Sequence, residues 1–248
     1  MDSVLQMIIY FLIGLFAGFM SGMFGVGGGS VRIPLLYAAG LPLICAFGIN
    51  LLTIPLSSLI GAISHRQNIN FKVARFVIIG GILGTVTGAF LTESIPTLVL
   101  AVIFFIVSVI TVFGIYFDRI FPKIYRKDNT GARFIISTAF FLNLLTIMRG
   151  GSGGSLFPPF LRMIKLDMRN AIATSLFATI FTSFAGAIVF WYRGNMIWFP
   201  ALCVLTGSIV GARIGSLISL KTKPEWIEIG LSIFVIILSL FVLFKALR

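Results

Sequence analysis

Two glycine-rich stretches, each accompanied by an arginine and a proline, are the parts of this chain whose residue types and spacing could do chemistry. The first runs from Gly22 to Pro34 and contains Arg32, and the second runs from Arg149 to Pro159. So many glycines cannot sustain a helix without a large cost, whereas each proline suits the first turn of a short helix that follows. Free backbone amides beside the positive end of such a helix, with a guanidinium nearby, could bind an anion.

Polar side chains around these stretches complete a candidate binding site. Hydroxyl and amide side chains fall early in the apolar run that follows each stretch, although Ser and Thr in helices often bond only their own backbone. Asn143, just before the second stretch, is a further polar neighbour. The predicted substrate-binding residues are Gly27, Gly28, Gly29, Ser30, Arg32, Asn50, Arg149, Ser152, Gly153, Gly154, Ser155, Thr174 and Ser175.

Other kinds of chemistry lack the residues that they need. All seven Asp and Glu residues fall in loops or near the ends of apolar runs, whereas a cation carrier or a carboxylate proton relay would need one in mid-run. A single histidine, His65, excludes a multi-histidine site, and two distant cysteines, Cys45 and Cys203, imply no disulfide framework or metal spacing. No nucleophile is paired with a base, so the sequence predicts neither an enzyme nor a cofactor.

Composition and charge placement indicate a polytopic membrane protein. Of the 248 residues, 58% are hydrophobic and 10% are charged, against about 25% charged in average soluble domains. The net charge of +12 lies in short gaps between apolar runs, which favours lipid headgroups over nucleic acid as the partner. Arginines at membrane depth cost roughly 3 kcal/mol and are functional by default, unless they snorkel to the headgroups. The predicted spans are residues 4–26, 43–64, 76–92, 94–117, 134–148, 170–192, 194–212 and 229–244.

The two halves of the chain repeat one another. Gly-Gly-Ser at 28–30 aligns with Gly-Gly-Ser at 153–155, an offset of 125 residues at which proline, asparagine and further glycines also match. Duplicated modules are typical of transporters, which move them around a shared site, although duplication can also enlarge a purely structural bundle. The predicted domains are a first transmembrane repeat at 1–117, a basic linker at 118–133 and a second transmembrane repeat at 134–248.

Two membrane topologies fit this repeat. If each glycine-rich stretch is a loop between full spans, the chain has eight spans and parallel halves. If each is the tip of a re-entrant hairpin followed by three spans, the halves are inverted. The basic residues that only inverted halves place inside are Arg162, Lys165, Arg169, Lys221 and Lys223, and those that only parallel halves place inside are Arg193, Lys245 and Arg248. The positive-inside rule favours inversion, whereas the length of the run at 4–26 favours a full first span.

Glycines also recur at every fourth position in one apolar run of each half. Small residues at this spacing let two helix backbones approach closely, which predicts a helix-packing role. Arg213 interrupts the second of these runs and is a third candidate arginine. The recurring glycines are Gly80, Gly84 and Gly88 in the first half and Gly207, Gly211 and Gly215 in the second.

Six short motifs, spread over both halves, match a known pattern. They are Phe-Gly-Val-Gly-Gly-Gly at 24–29, Pro-Leu-Leu at 34–36, Gly-Leu-Pro at 40–42, Ala-x-Ala-Thr-Ser-Leu at 171–176, Ser-x-x-Gly-Ala at 183–187 and Arg-Gly-Asn at 193–195. Together they resemble the TauE/SafE family of sulfite-exporter-like membrane proteins over nearly the whole chain except the linker. The second copy departs from the pattern, because Ser152 interrupts its glycines and Pro158 precedes Pro159. The resemblance implies a multi-pass transporter of the bacterial or archaeal inner membrane that exports sulfite or related organosulfur anions.

The sequence thus predicts an all-α protein of two helical modules, each with a broken helix or re-entrant element. A small anion would bind between the two glycine-rich stretches near mid-membrane, and the modules would rock around it to alternate access. Two other classes remain open, a passive anion channel that uses the same residues and a non-transport assembly or scaffold protein. The sequence also leaves a homo-oligomer open.

Overall fold

The computed structural model describes residues 3–24, 28–115, 131–219 and 225–247, and within these ranges the chain is helical and contains no strand. The helices are α1 (Ser3–Phe24), α2 (Gly29–Ala38), α3 (Leu43–Ser64), α4 (Phe71–Thr92), α5 (Thr97–Ile115), α6 (Ala132–Ile147), α7 (Phe157–Met163), α8 (Met168–Tyr192), α9 (Trp198–Ser219) and α10 (Glu225–Leu247). Short 3₁₀ turns lie at Arg66–Asn68 and Gly153–Ser155. The all-α prediction is confirmed for this part of the chain. The predicted linker lies mostly outside it, and so does Gly27.

Helices α1, α3, α4, α8 and α9 are each long and apolar enough to cross a membrane. Shorter apolar segments occupy α5, α6 and α10. Large apolar side chains such as Leu83, Phe141 and Phe184 are more than half exposed on the surface of the helix assembly. A surface of this kind suits hydrocarbon and not water. The chain is therefore a multi-pass membrane protein, as its composition predicts.

Helix α4 begins ahead of the predicted span at 76–92. The Asn70 side chain accepts a hydrogen bond from the Val73 amide at 3.2 Å, and this cap starts the helix at Phe71. Lys72 and Arg75 consequently lie on the first turns of a helix and not in a loop, and both side chains are exposed. The apolar run alone missed these turns because a helix can enter the polar region of a membrane with charged side chains on its surface.

The helices pair across the two halves in a reciprocal pattern. Helix α1 packs along α9, and α4 packs along α6. In the repeat alignment α1 corresponds to α6 and α4 to α9, so these two pairs are equivalent. Helix α3 packs against its own equivalent α8, and α5 packs against its own equivalent α10. The contact pattern is therefore the same when viewed from either half.

Glycines bring the paired backbones together. A Cβ atom at Gly84 on α4 would lie 2.1 Å from the Phe140 carbonyl oxygen on α6, and one at Gly211 on α9 would lie 2.0 Å from the Leu15 carbonyl oxygen on α1. No side chain fits into contacts this short. The predicted role of the recurring glycines in helix packing is confirmed at these positions, and Gly14 on α1 adds a similar contact, 2.2 Å from the Val204 carbonyl oxygen.

The same contacts give the directions of the paired helices. Gly14 lies beside Val204 and Gly18 lies beside Ser208, so α1 and α9 run parallel. In contrast, Gly48 lies beside Phe190 and Gly61 lies beside Leu176, so α3 and α8 run antiparallel. Helices α3 and α8, which align with each other in the sequence, thus point in opposite directions.

The short helices α2 and α7 end in the same kind of turn. Gly40 and Lys165, which align in the repeat, both have positive φ, +96° and 70°. After α2 the Leu41 amide donates to the Leu36 carbonyl at 3.2 Å, and the equivalent bond after α7 is 3.1 Å. This is the Schellman pattern of helix termination. The two short helices thus end in the same backbone conformation, at positions that the sequence alignment of the halves predicts to be equivalent.

Pro34 lies inside α2 and not in its first turn, which corrects the expectation from the sequence. The Gly28 carbonyl accepts a hydrogen bond from the Arg32 amide at 2.7 Å, so the helix already starts among the glycines, at Gly29. Pro34 then leaves one carbonyl of the preceding turn without its intrahelical partner. In the second copy Pro159 does lie in the first turn, of α7, as predicted.

Candidate functional site

Arg32 lies on α2 and is 1% exposed. Its Nη1 donates to the Asn50 Oδ1 on α3 at 2.5 Å, and its Nη2 donates to the Ser208 Oγ on α9 at 3.1 Å. Its Nε is buried and has no hydrogen-bond partner. The guanidinium is therefore held in place by two neutral groups and keeps one donor unused.

Asn50 joins the two glycine-rich stretches. It is fully buried, and its Nδ2 donates to the Gly150 carbonyl of the second stretch at 2.7 Å. Gly150 has a φ of +72°, and a Cβ atom there would lie 2.3 Å from the Phe47 ring. Glycine is needed at this position for both reasons. The turn that it forms aims its carbonyl at Asn50 and so links one copy of the repeat to the other.

Arg149 directly precedes that turn and is 5% exposed. Its Nη1 donates to the Ser30 Oγ of the first stretch at 3.3 Å, and its Nη2 donates to the Ser155 Oγ of the second stretch at 2.7 Å. Its Nε is also buried without a partner. A second guanidinium thus lies where the two stretches meet, again among neutral groups.

In the described part of the chain, no carboxylate contacts either guanidinium. Glu93 instead pairs with Arg193 and accepts a hydrogen bond from the Asn195 side chain at 2.5 Å. Asp167 caps α8 by accepting the Asn170 amide at 3.2 Å. A buried charge without a counter-charge costs several kcal/mol. The two arginines therefore form a cationic centre that a bound anion would stabilise.

The second copy contributes hydroxyl groups to the same region. Ser175 on α8 donates to the Gly154 carbonyl at 3.3 Å. Thr179, one turn further along α8, is 4% exposed, and its Oγ1 has no partner. A Cβ atom at Gly154 would lie 2.8 Å from that oxygen. Thr179 therefore presents an unused hydroxyl to the glycine-rich break.

The structure brings most of the predicted site residues together. The residues that meet in the linked cluster are Gly28, Gly29, Ser30, Arg32, Asn50, Arg149, Gly154, Ser155 and Ser175. The others have different partners: the Gly153 amide donates to Asn143 at 3.0 Å, and Ser152 shares a 2.6 Å hydrogen bond with Thr182. Asn143 thus holds the second stretch in place.

Two further predicted residues lie apart from the cluster. The Thr174 Oγ1 accepts the Asn70 amide at 3.0 Å, next to the start of α4. Arg213 is exposed on α9 and makes none of the hydrogen bonds of the cluster. The hydrogen bond of Thr174 favours a structural role for its side chain.

Sequence reasoning missed Ser208, Thr179 and the Gly150 carbonyl. Ser208 follows Gly207 within the packing motif of α9, so the sequence pattern indicates only one more small residue at a helix contact. Thr179 has no polar equivalent in the first half, where Ile54 occupies the aligned position. Only the hydrogen bond from Arg32 on α2 to Ser208 on α9, and the approach of Thr179 on α8 to Gly154, show what these hydroxyls face.

The two copies differ where they approach each other. A Cβ atom at Gly28 would lie 3.1 Å from the Arg32 Nη2, and one at the aligned Gly153 would lie 2.4 Å from the Phe157 ring. Arg32 and Phe157 are themselves aligned in the repeat. The first copy thus has a cation, Arg32, at the position where the second copy has a buried aromatic ring, Phe157. The cluster is therefore not symmetric, although the two sequences align.

Replacement of Thr179 by valine tests whether the unused hydroxyl contacts the substrate. The folded protein loses no hydrogen bond and an unsatisfied polar atom is removed, so we expect unchanged or slightly higher thermal stability. If an anion binds at the cluster, we expect its dissociation constant to rise several-fold, because one hydrogen-bond donor is lost. Thr53→Val is the matched control, since its hydroxyl donates to helix carbonyls. An unchanged dissociation constant in Thr179→Val would exclude the contact.

Comparison with known proteins places this geometry in context. The sequence model of the family described as "Sulfite exporter TauE/SafE" matches residues 10–242. The "Probable membrane transporter protein YunE" of Bacillus subtilis is 24% identical, over 94% of this chain and 96% of its own length. The "Probable membrane transporter protein YfcA" of Escherichia coli K12 is 26% identical, over 92% and 86%. The "Probable membrane transporter protein MJ0441" of Methanocaldococcus jannaschii is 24% identical, over 98% and 97%. No solved structure matches the chain.

Proposed function

Because this chain belongs to the TauE/SafE sulfite exporter family and is a membrane transporter, we propose that it exports a small oxyanion, sulfite or a related organosulfur anion. The observation that carries the proposal is the pair of buried guanidiniums, Arg32 and Arg149, which have no carboxylate partner in the described chain. Burial of two unpaired charges raises the free energy of the ligand-free protein, and a bound anion lowers it.

In this proposal the anion binds where the two glycine-rich stretches meet. The unused Nε donors of Arg32 and Arg149 and the Thr179 hydroxyl face the ligand. The first amides of α2 have no intrahelical partner and add a positive dipole end at Gly29 and Ser30. Ser208, Asn50 and Ser155 hold the guanidiniums in position rather than neutralise them, so the charge remains available to the substrate.

We propose inverted repeats for the topology. Helices α3 and α8 are equivalent in the repeat, and both are long enough to span, yet they run antiparallel. An axis that relates antiparallel spans lies in the membrane plane, as in many transporters. Because α1 runs parallel to α9, and α9 returns from α8, α1 and α3 cross in the same direction. The short helix α2 must then bring the chain back between them.

A re-entrant first stretch follows from the same reasoning. A Cβ atom at Gly28 would lie 2.7 Å from the Ala17 carbonyl oxygen, so the chain at Gly28 is again level with the later part of α1. This contact supports a hairpin whose tip lies near the guanidiniums. Irregular backbone at membrane depth is tolerated where it lines a ligand cavity or is covered by protein, which fits the proposed role.

Alternating access is the proposed mechanism. The glycine-packed pairs α1–α9 and α4–α6 are the closest backbone contacts, and each contains helices from both halves. The moving bodies would thus be built around these pairs and would not coincide with the sequence halves. Rocking of one body against the other around the arginine cluster would expose the anion to each side in turn.

The direct test of transport is flux of sulfite in proteoliposomes that contain the purified protein. We expect saturable uptake that sulfate, thiosulfate, taurine and sulfoacetate inhibit to different degrees. Unsaturable flux would indicate a passive channel. Absence of flux of any of these anions, from protein shown to be folded, would contradict the proposal and favour an assembly or scaffold role.

Glu93 and Arg193 form a contact between the halves that alternating access must break on the outer side. In the inverted topology the ends of α4 and α8 lie on the outer face, where these side chains pair. Asn195, which belongs to the same cluster, packs against Gly48 on α3: a Cβ atom at Gly48 would lie 2.6 Å from the Asn195 carbonyl oxygen. Gly48 lies one helical turn from Cys45, which is buried. The cluster therefore closes the outer end over α3.

Removal of this pair is expected to open the outer end more often. In a Cys203→Ser background, Glu93→Gln should raise the labelling rate of Cys45 by a membrane-impermeant maleimide a few-fold, since a partly exposed ion pair contributes little. Asp167→Asn is the matched control, because it removes one carboxylate at the opposite end of α8 and keeps the cap. Equal labelling of the Glu93→Gln variant and the control would contradict the outer-gate role.

A further inference from the structure

We infer that the substrate of this site is a divalent oxyanion, with both negative charges on one small ligand. The inference rests on the proposed function and specifies the charge of the anion that the site selects. It follows from the number of buried charges where the glycine-rich stretches meet, and from the contacts that link those charges.

Within the part of the chain that the structure describes, this centre contains two cations and no carboxylate. Arg32 is 1% exposed and Arg149 is 5% exposed, and every hydrogen bond that they make goes to a hydroxyl or amide oxygen. In the described chain, the carboxylates Glu93 and Asp167 are engaged elsewhere. The charge of the centre, about +2, is thus not compensated by any residue of the described chain.

Both guanidiniums serve a single ligand position. Arg32 donates a hydrogen bond to Asn50, and Asn50 donates one to the carbonyl of Gly150, the residue that follows Arg149. On the other side Arg149 holds Ser30, which lies two residues before Arg32 on α2. This closed ring of contacts links the two guanidiniums to each other. The Nε of each is buried and has no hydrogen-bond partner in the described chain.

A monovalent anion would leave one of the two buried charges uncompensated. That residual charge costs several kcal/mol at low dielectric, so a monoanion binds the same cluster more weakly than a dianion of the same shape. The proposed substrates are therefore sulfite in its doubly ionised form and other small dianionic oxyanions. Hydrogen sulfite, monovalent sulfonates and the zwitterion taurine fit less well.

Sulfate and methanesulfonate provide the matched pair of probes, because both are tetrahedral and of similar size and they differ in charge. The experiment measures how each inhibits sulfite flux in proteoliposomes at fixed ionic strength. For the unmodified protein we expect sulfate to inhibit at a concentration lower by about tenfold or more. In Arg32→Gln, which carries one cation fewer, we expect the two inhibition constants to become similar.

Thermal stabilisation of the purified protein by each anion gives a second readout that does not depend on flux. Sulfate stabilises proteins non-specifically, so the double variant Arg32→Gln/Arg149→Gln supplies the baseline. We expect sulfate to stabilise the unmodified protein above that baseline, and methanesulfonate to add little. Stabilisation by both anions to the same degree, or by neither, overturns the inference.

The failures of the two claims are distinguishable. Sulfite flux that sulfate and methanesulfonate inhibit equally would overturn the divalent assignment while the proposed function stands. A steep, cooperative inhibition by methanesulfonate would also overturn it, since it would indicate two monovalent ions in place of one dianion. Absence of sulfite flux together with sulfate-specific stabilisation would instead contradict the proposed transport and support the charge assignment.

Discussion

Replacement of Arg149 by glutamine is expected to reduce sulfite flux by about a hundredfold or more. Glutamine keeps a polar side chain at this position, but it removes one of the two charges that the anion contacts in the proposed site. Loss of a charged hydrogen bond at a buried site affects binding more than loss of a neutral one. Initial rates of sulfite uptake into proteoliposomes, at matched protein content, measure the effect.

The stability of this variant separates a binding role from a structural one. Because the charge of Arg149 is buried without a counter-charge in the described chain, its removal should leave the apparent Tm of the ligand-free protein unchanged or higher. Arg66→Gln is the matched control, since Arg66 is exposed on the turn between α3 and α4 and its loss should leave flux unchanged. Normal flux in Arg149→Gln, or a variant that fails to fold, would contradict the role proposed for Arg149.

Replacement of Gly84 by alanine is expected to destabilise the protein strongly. The added methyl group would lie 2.1 Å from the Phe140 carbonyl oxygen, a backbone atom that can move only if α4 and α6 separate. Overpacking of this kind costs about 1–3 kcal/mol and sometimes more, which corresponds to a fall of roughly 5 °C in apparent Tm. Retention of the folded peak on size-exclusion chromatography after heating in detergent measures it.

Gly131→Ala is the matched control for this experiment. Gly131 precedes α6, has a negative φ, and has no atom within 4 Å of the position of an added Cβ. The same chemical change should therefore leave the apparent Tm unaltered. An unchanged Tm in Gly84→Ala would show that the α4–α6 contact is looser than the structure has it, and would weaken the assignment of this pair to one rigid body.

Several features of the fold and of the candidate site could be predicted from local sequence alone. Apolar runs of about 20 residues predict spans because hydrocarbon leaves no other choice for the backbone. Glycines at every fourth position predict close helix contacts, and Gly84 and Gly211 make them. Arginines beside glycine-rich breaks predict a buried cationic centre, which Arg32 and Arg149 form at 1% and 5% exposure.

Other features depend on contacts between distant parts of the chain. The packing of α1, from the first half, against α9, from the second half, cannot be predicted from the sequence of either helix. Small residues mark a helix contact surface but do not identify the helix that packs on it. Ser208 lies on α9 and accepts a hydrogen bond from Arg32 only because α9 packs beside the first half. The Gly153 amide was expected to bind the anion, yet Asn143 takes it, since a side chain one helix away competes for the same donor.

Counterflow of radiolabelled sulfite tests the central claim most directly, namely that one anion site between the two glycine-rich stretches is exposed to each side of the membrane in turn. Proteoliposomes loaded with unlabelled sulfite are diluted into a trace of labelled sulfite. The account predicts transient accumulation of label above its equilibrium level with the unmodified protein, and none with Arg149→Gln. Monotonic equilibration without an overshoot, at an equal rate in both proteins, would contradict it.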